Sequence, residues 1–278
     1  MKKILYFILG SLIFIFIILI YSRFIGTTSL KVNEILINTN IKESYDGLKI
    51  VHFTDLHYKK IITEDRVKEL IKEINKTNPE IIVFTGDLLD DLYKMTNADI
   101  KFLIKELSKL KTKYGKYAIL GDQDYKQKET VSNIYIQSDF KILNNNYTIV
   151  FNDKNDKINL IGLGSSLKND LNIDNIELNT PDDYTIILTH EPDTIDKIIM
   201  KYSTPPLILS GHSINGSINI PIIKKALLPE GALKYYEEYY KINNTDIYIS
   251  NGIGVNNLNF RLFNKPSFNL YRLKTNRN

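Results

Sequence analysis

The sequence predicts an α/β fold: a β-sandwich of mixed sheets flanked by helices, preceded by one N-terminal transmembrane helix. Three observations predict it. Short apolar runs alternate with segments of helical period through the first half of the chain. Later runs are closer together and more hairpin-like, which mixes strand directions. Ahead of both lies an uncharged stretch, residues 4–21, in which only Gly10 and Ser11 fall outside the apolar and aromatic set.

That stretch is ILYFILGSLIFIFIILIY. As a helix rising about 1.5 Å per residue it nearly spans a hydrocarbon core of about 30 Å. It exceeds the 7–15 apolar residues of a signal peptide, and no small-x-small cleavage site follows in YSRFIGTTS. The reading is therefore an uncleaved anchor with a short linker over 22–30. Lys2 and Lys3 precede the run, which places the N-terminus in the cytoplasm and the body outside it. Residues 1–27 form the anchor and its flank, and residues 28–278 one folded domain.

In the body, 48–54 (LKIVHFT) and 81–85 (IIVFT) read as buried strands. Between them Val67, Leu70, Ile71 and Ile74 mark an amphipathic helix over 64–74. Ile100, Leu103, Ile104, Leu107 and Leu110 repeat that period over 100–110. Further strands are expected at 117–120, 142–151, 158–163, 184–188, 207–210, 247–250 and 268–273, with a hairpin through 152–157. The glycine pairs at 162/164 and 252/254 lack the third glycine and the strand-turn-helix setting of a dinucleotide site. The aromatic run 233–240 (LKYYEEYY) reads as strand edge or surface packing.

Composition removes several classes of function. The 278 residues include 36 Lys and Arg, 32 Asp and Glu, four His, and no Cys or Trp, for a net charge of +4. Without Cys there is no disulfide framework, thiol catalysis, iron–sulfur cluster or thiolate zinc site. Lys2, Lys3 and Arg23 carry +3 in the first 27 residues, which contain no acid, so the body is nearly neutral. No basic cluster with interleaved aromatics supports nucleic-acid binding.

The residues able to carry chemistry sit at the carboxyl ends of the expected strands. These ends read Asp55-Leu56-His57, Gly86-Asp87-x-x-Asp90, Gly121-Asp122-Gln123-Asp124, Thr189-His190-Glu191-Pro192 and Gly211-His212-Ser213. Ligands converge at this edge of open α/β sheets. One Asp after a strand is ordinarily a turn former, and His52, inside its strand, reads as a core or face histidine rather than a ligand. Three of four histidines sharing one position type with several Asp is a different matter. Carboxylates and imidazoles without thiolates suit divalent Mn, Fe or Zn.

With these pieces in order, the sequence resembles the calcineurin-like metallophosphoesterases, specifically their membrane-anchored bacterial branch. Gly211-His212-Ser213-Ile214, Ser250-Asn251-Gly252-Ile253-Gly254 and Arg261-Leu262-Phe263-Asn264-Lys265-Pro266 extend the match, which runs from about residue 32 to 273. The resemblance implies a four-layer metallophosphoesterase-type sandwich and a two-metal centre. Asp55, His57 and Asp87 would hold the first metal and Asp87, Asp122, His190 and His212 the second, for in-line attack on a phosphoester. It also places Gln123 and Asp124 at catalytic positions.

The match has departures. Asp122 stands where the family has an asparagine. Gln123 stands where it has a histidine; an amide donates a hydrogen bond but delivers no proton. Ile214 stands where it has a ligating histidine, and Ser217 where this branch has glutamine. Asn215 is a substitute ligand if its loop shifts. The expectation is one tightly and one weakly held divalent metal. The expected function is a membrane-tethered, metal-dependent phosphoesterase of reduced activity on a lipid- or envelope-linked phosphoester. The alternative is a degenerate member kept as a binding or scaffolding protein.

Overall fold

The chain begins with α1 (Lys2–Ile20), extended by a π-helical turn at Tyr21–Ile25. Then follow β1 (Lys31–Thr39), β2 (Lys49–Phe53), α2 (Glu64–Lys76), β3 (Ile81–Phe84), α3 (Asn97–Leu107) and β4 (Lys116–Ala118). The middle of the chain supplies α4 (Lys128–Gln137), β5 (Phe140–Ile142), β6 (Asn146–Phe151), β7 (Lys157–Gly162) and β8 (Tyr184–Thr189). It ends with α5 (Ile195–Lys201), β9 (Leu207–Ser210), α6 (Pro221–Ala226), β10 (Tyr239–Ile242), β11 (Thr245–Ile249) and β12 (Ser267–Thr275). This computed structural model describes residues 2–90, 94–178, 183–202, 207–214, 217–255 and 259–276.

The strands form two six-stranded mixed sheets, ordered β1-β12-β2-β3-β4-β5 and β10-β11-β9-β8-β7-β6. In the first, β12 runs antiparallel to β2 and the other pairs are parallel. In the second, β6–β7 and β10–β11 are hairpins around a parallel centre of β7, β8, β9 and β11. Alternation along each strand sends successive side chains to opposite faces. Ile50, Ile81 and Val83 therefore meet Leu160, Ile186, Leu188 and Leu209 between the sheets. Val51, Phe53, Ile82 and Phe84 face outward onto the apolar stripes of α2, α3 and α4. On the other side Ile187, Ile208 and Ile247 pack with Ile195 and Ile198 of α5. The four layers match the predicted sandwich.

Two expectations need correcting. The strand expected over 142–151 is two strands in different sheets: β5 ends at Ile142 and β6 starts at Asn146. The intervening turn carries Asn145 at φ 49°, and the Asn144 side chain accepts from the Leu120 amide. An unbroken apolar pattern hides such a change of sheet. The linker expected over 22–30 is helical to Ile25 and docked on the body, with Ser22 and Thr27 buried. β1, α4, α5, α6 and β10 had no counterpart in the sequence reading. β1 carries its charges on a half-exposed edge, and α4 is rich in β-branched residues. The segment Lys2–Ile25 is the one stretch among the described residues long and apolar enough to cross a membrane, and it fits a single-pass membrane protein.

Candidate metal centre

The parallel strands of both sheets open toward one edge, and their following loops turn there sharply. Asp55, His57, Asp87 and His212 all have left-handed backbone, with φ of 52°, 44°, 59° and 66°. Non-glycine residues rarely adopt this conformation unless the surroundings impose it, and they cluster where function does. Gly86 makes one turn possible: a Cβ there would lie 2.3 Å from the Gly121 amide nitrogen, so the loops after β3 and β4 touch through backbone. Asp124, fully buried, clamps the same two loops. Its carboxylate accepts from the amides of Asp87 at 2.9 Å, Leu89 at 3.1 Å and Gly121 at 3.0 Å.

These turns bring six side chains of the sequence motifs together. His190 Nε2 lies 3.3 Å from Asp87 Oδ2 and 3.4 Å from Asp122 Oδ1, and His212 Nδ1 lies 3.3 Å from Asp122 Oδ1. His57 Nε2 is 3.7 Å from both Asp55 Oδ1 and Asp87 Oδ2. Potential donor atoms of Asp87, Asp122, His190 and His212 fall within 4.8 Å of one another, as do those of Asp55, His57 and Asp87. Asp87 belongs to both groups. Four of the six, His57, Asp87, Asp122 and His212, line an open cleft of about 640 Å³ whose lining also includes Lys60, Gln123, Lys168 and Glu230, with Asp55 and His190 buried behind them. Asp124 is not part of that lining, whereas Gln123 is.

Backbone carbonyls orient two of the imidazoles. His190 Nδ1 contacts Thr85 O at 2.7 Å, an acceptor that needs the proton on Nδ1 and leaves Nε2 toward the carboxylates. His212 Nε2 contacts Glu230 O at 2.6 Å, which turns Nδ1 inward, and its amide donates to Asp55 Oδ2 at 3.0 Å. The Gln123 amide holds Asp87 Oδ1 at 2.9 Å, and its side chain donates to Asp122 Oδ2 at 2.5 Å. Ile214 is fully buried at φ 49°, with no ligating atom to offer. Asn215 lies outside the described residues.

The electrostatics ask for cations. Burial disfavours charge on every member, yet it is outweighed at the three imidazoles. Burial lowers His190 and His212, but Asp87 and Asp122 raise them above the ordinary histidine range; His57 is raised despite burial by Asp55 and Asp87. Burial raises Asp55, but the His57 contact and the charges of His190 and His212 bring it down to about 2. Asp87 is raised by burial together with the neighbouring Asp122 charge. Asp124 is pushed up to about 7 by burial and by the charge of Asp87. Protons drawn onto imidazoles supply the positive charge the carboxylates need. A divalent ion supplies it better, because Asp55 Oδ1, Asp122 Oδ1 and both His57 ring nitrogens are buried with no hydrogen-bond partner among the described residues. The donor set fits a hard or borderline divalent metal.

Sequence reasoning missed several contributors. Lys60 Nζ sits 2.8 Å from Asp90 Oδ2, and Asp90 stands 3.6 Å from His57 Nδ1. Lys168 Nζ sits 3.9 Å from Asp122 Oδ2, next to the charge that replaces the family's amide. Neither lysine has a motif to mark it. The Thr85 and Glu230 carbonyls belong to the backbone and leave no side-chain signature at all.

A two-sheet α/β sandwich with paired acid–imidazole clusters at its strand ends defines a class of protein built to hold divalent metal at the edge of its sheets. A family model described as calcineurin-like phosphoesterase matches residues 48–216. The chain is 29% identical over 263 residues to the uncharacterized metallophosphoesterase YkuE of Bacillus subtilis, covering 92% of this chain and 89% of that protein. It is 30% identical over 270 residues to the uncharacterized metallophosphoesterase Cj0846 of Campylobacter jejuni, with 95% and 69% covered. A transmembrane protein with metallophosphoesterase domain from Danio rerio is 22% identical over 247 residues, with 84% and 55% covered. The chain belongs to the calcineurin-like metallophosphoesterase family.

Proposed function

We propose that this protein is a membrane-tethered phosphoesterase acting outside the cytoplasm, with residues 28–278 as the catalytic domain and residues 1–27 as its anchor. The observation that carries the reading is the shared carboxylate: Asp87, in the lining of one open cleft, belongs to two donor groups. In this reading Asp55, His57 and Asp87 hold one divalent ion and Asp87, Asp122, His190 and His212 the other. Bound metals supply Lewis-acid polarisation of the phosphoryl oxygens and a more acidic water for in-line attack. The protein's own groups do the remaining work. Thr85 and Glu230 carbonyls hold two imidazoles in the ligating tautomer, and Lys60 and Lys168 attract an anionic substrate to the cleft. Gln123 donates a hydrogen bond but leaves the departing oxygen without a proton source, which costs about 10²–10⁴ in rate. Activity is therefore highest on esters with good leaving groups.

The test uses the full chain in detergent micelles with Mn²⁺ and an activated aryl phosphodiester. Hydrolysis is expected, with Asp87→Ala lowering it about a hundredfold or more. Equal rates for the two proteins would sink the reading.

A second reading, a binding module retaining a metal site, draws on Ile214 and on the Gln123 side chain tied to Asp122. Restoring both positions with Gln123→His and Ile214→His separates the two. A large gain from near-zero activity favours the binding module, and little gain over a robust baseline favours the enzyme. Elemental analysis after dialysis is expected to find one tightly held ion per chain.

A further inference from the structure

The depth at which the anchor meets the body can be counted. A hydrocarbon core of about 30 Å takes about 20 helical residues. The apolar helix Lys2–Ile25 starts with Lys2 and Lys3 and has Arg23 near its end, so its last turn emerges at headgroup level. The body grips that turn. Ser22 O accepts from the Arg261 amide at 3.0 Å, and a Cβ on Gly26 would lie 2.0 Å from Arg261 O. If α1 spans a bilayer, Arg261 and its neighbours are held at the membrane surface.

A cleft of about 460 Å³ opens at this junction, lined by Tyr21, Gly26, Lys31, Arg261, Asn264 and Lys265. Its lining shares no residue with that of the metal cleft. The Arg261 side chain is fully buried. Nε reaches Gly254 O at 3.0 Å, and Nη2 reaches the carbonyls of Asn251 at 2.8 Å, Gly252 at 3.0 Å and Gly254 at 2.6 Å. Nη1 is buried without a partner among the described residues, which a protein interior rarely tolerates in a guanidinium. The one acid in the lining, Glu238, accepts from Asn251 Nδ2 at 2.8 Å, leaving three cationic side chains against it. On the rim Phe263 is 76% exposed and held at φ 58°, a large apolar ring presented beside the emerging helix where it can bury into the headgroup boundary.

We propose that this cleft binds the phosphate-bearing headgroup of an anionic lipid in the leaflet from which the anchor emerges. Lys31 and Lys265 supply the attracting charge, with the buried Arg261 cation behind them, and Phe263 enters the interface beside the bound lipid. Inorganic phosphate shares the recognised chemistry; the lipid is favoured because Tyr21 and Phe263 flank the cleft at headgroup depth. The proposal rests on reading Lys2–Ile25 as a membrane span.

The experiment is native mass spectrometry of the full chain released from micelles holding equal amounts of phosphatidylglycerol and phosphatidylcholine. The wild type is expected to retain one phosphatidylglycerol in preference to phosphatidylcholine. Lys31→Gln and Lys265→Gln, both at exposed positions, are each expected to weaken that preference about fivefold. Equal retention of the two lipids by the wild type, or an unchanged preference in both variants, overturns the site. Lysine-dependent binding of inorganic phosphate with no preference between the lipids overturns the lipid as its ligand. Alkaline carbonate extraction reads the anchor separately. A chain that washes off the membrane overturns the span and the headgroup site together; a chain that stays while retaining both lipids equally overturns the headgroup site alone.

Discussion

His52 and the three cleft histidines show how position divides one residue type into two chemistries. His52 lies on β2, fully buried, with Nε2 2.9 Å from Thr85 Oγ1 and Nδ1 3.4 Å from the Tyr271 hydroxyl. Burial lowers it from 6.5 to about 3, against a smaller opposing pull from Asp55. The folded state thus refuses a proton that the unfolded chain accepts. The stabilisation is complete above pH 6.5 and is lost as pH falls from 6.5 toward 3. Between pH 7.5 and 5.5 the wild type is expected to lose about 1.4 kcal/mol relative to His52→Gln, as read from denaturant unfolding of both proteins. A constant gap between the two across that range refutes the assignment. The apolar run of 48–54 was enough to set His52 apart from the ligands as a core or face residue, and the glycine-Asp and glycine-His strand ends were enough to single out Asp87, Asp122 and His212. The backbone twist that aims these side chains was not legible, since no residue type specifies φ near 60° for Asp55, His57 or Ile214.

At the scale of elements, the strongest sequence signals belonged to strands and helices buried on a complete face. α2 repeats its apolar residues at helical spacing and places all four of them in the core. β5 and β6 read as one strand because their apolar pattern runs through a turn that only the separation of the sheets explains. The last turn of the N-terminal helix reads as a linker because its contacts are made by backbone. Gly26 is the test of that joint. It has ordinary helical backbone, so only the 2.0 Å approach to Arg261 O forbids a larger residue. Gly26→Ala is expected to cost about 1–3 kcal/mol by overpacking and to expose 21–30 to limited proteolysis. Unchanged melting and cleavage would show the docking to be dispensable.

Across the whole molecule, two sheets converge on one edge and concentrate uncompensated charge there. Cross-sheet contacts, His190 to Thr85 O and the His212 amide to Asp55, tie the halves together at the cleft. Removing divalent metal leaves buried donor atoms unpaired, so chelation should destabilise the entire fold. With metal at about 100 times its dissociation constant the linkage is about 2.7 kcal/mol, a fall in melting temperature of roughly 5–10 °C that Mn²⁺ restores. Asp87→Asn should melt at the same temperature with and without chelator. A wild type equally indifferent to chelator would remove the metal from the folding equilibrium.

The sequence by itself determined the long apolar N-terminal helix, the layered α/β class, the family, and the identity of the acids and imidazoles at the strand ends. These follow from periodicity, from hydrophobic length and from residue types in order along the chain, all of them local quantities. Tertiary structure alone decided that the Thr85 and Glu230 carbonyls turn two imidazoles toward the carboxylates, that Asp124 clamps loops outside the cleft lining, and that Arg261 joins the N-terminal helix to the body. Those are relations between segments far apart in sequence, made by backbone carbonyls, left-handed turns and close approaches of glycine. None of these leaves a mark on residue type or spacing, so only the folded coordinates contain them.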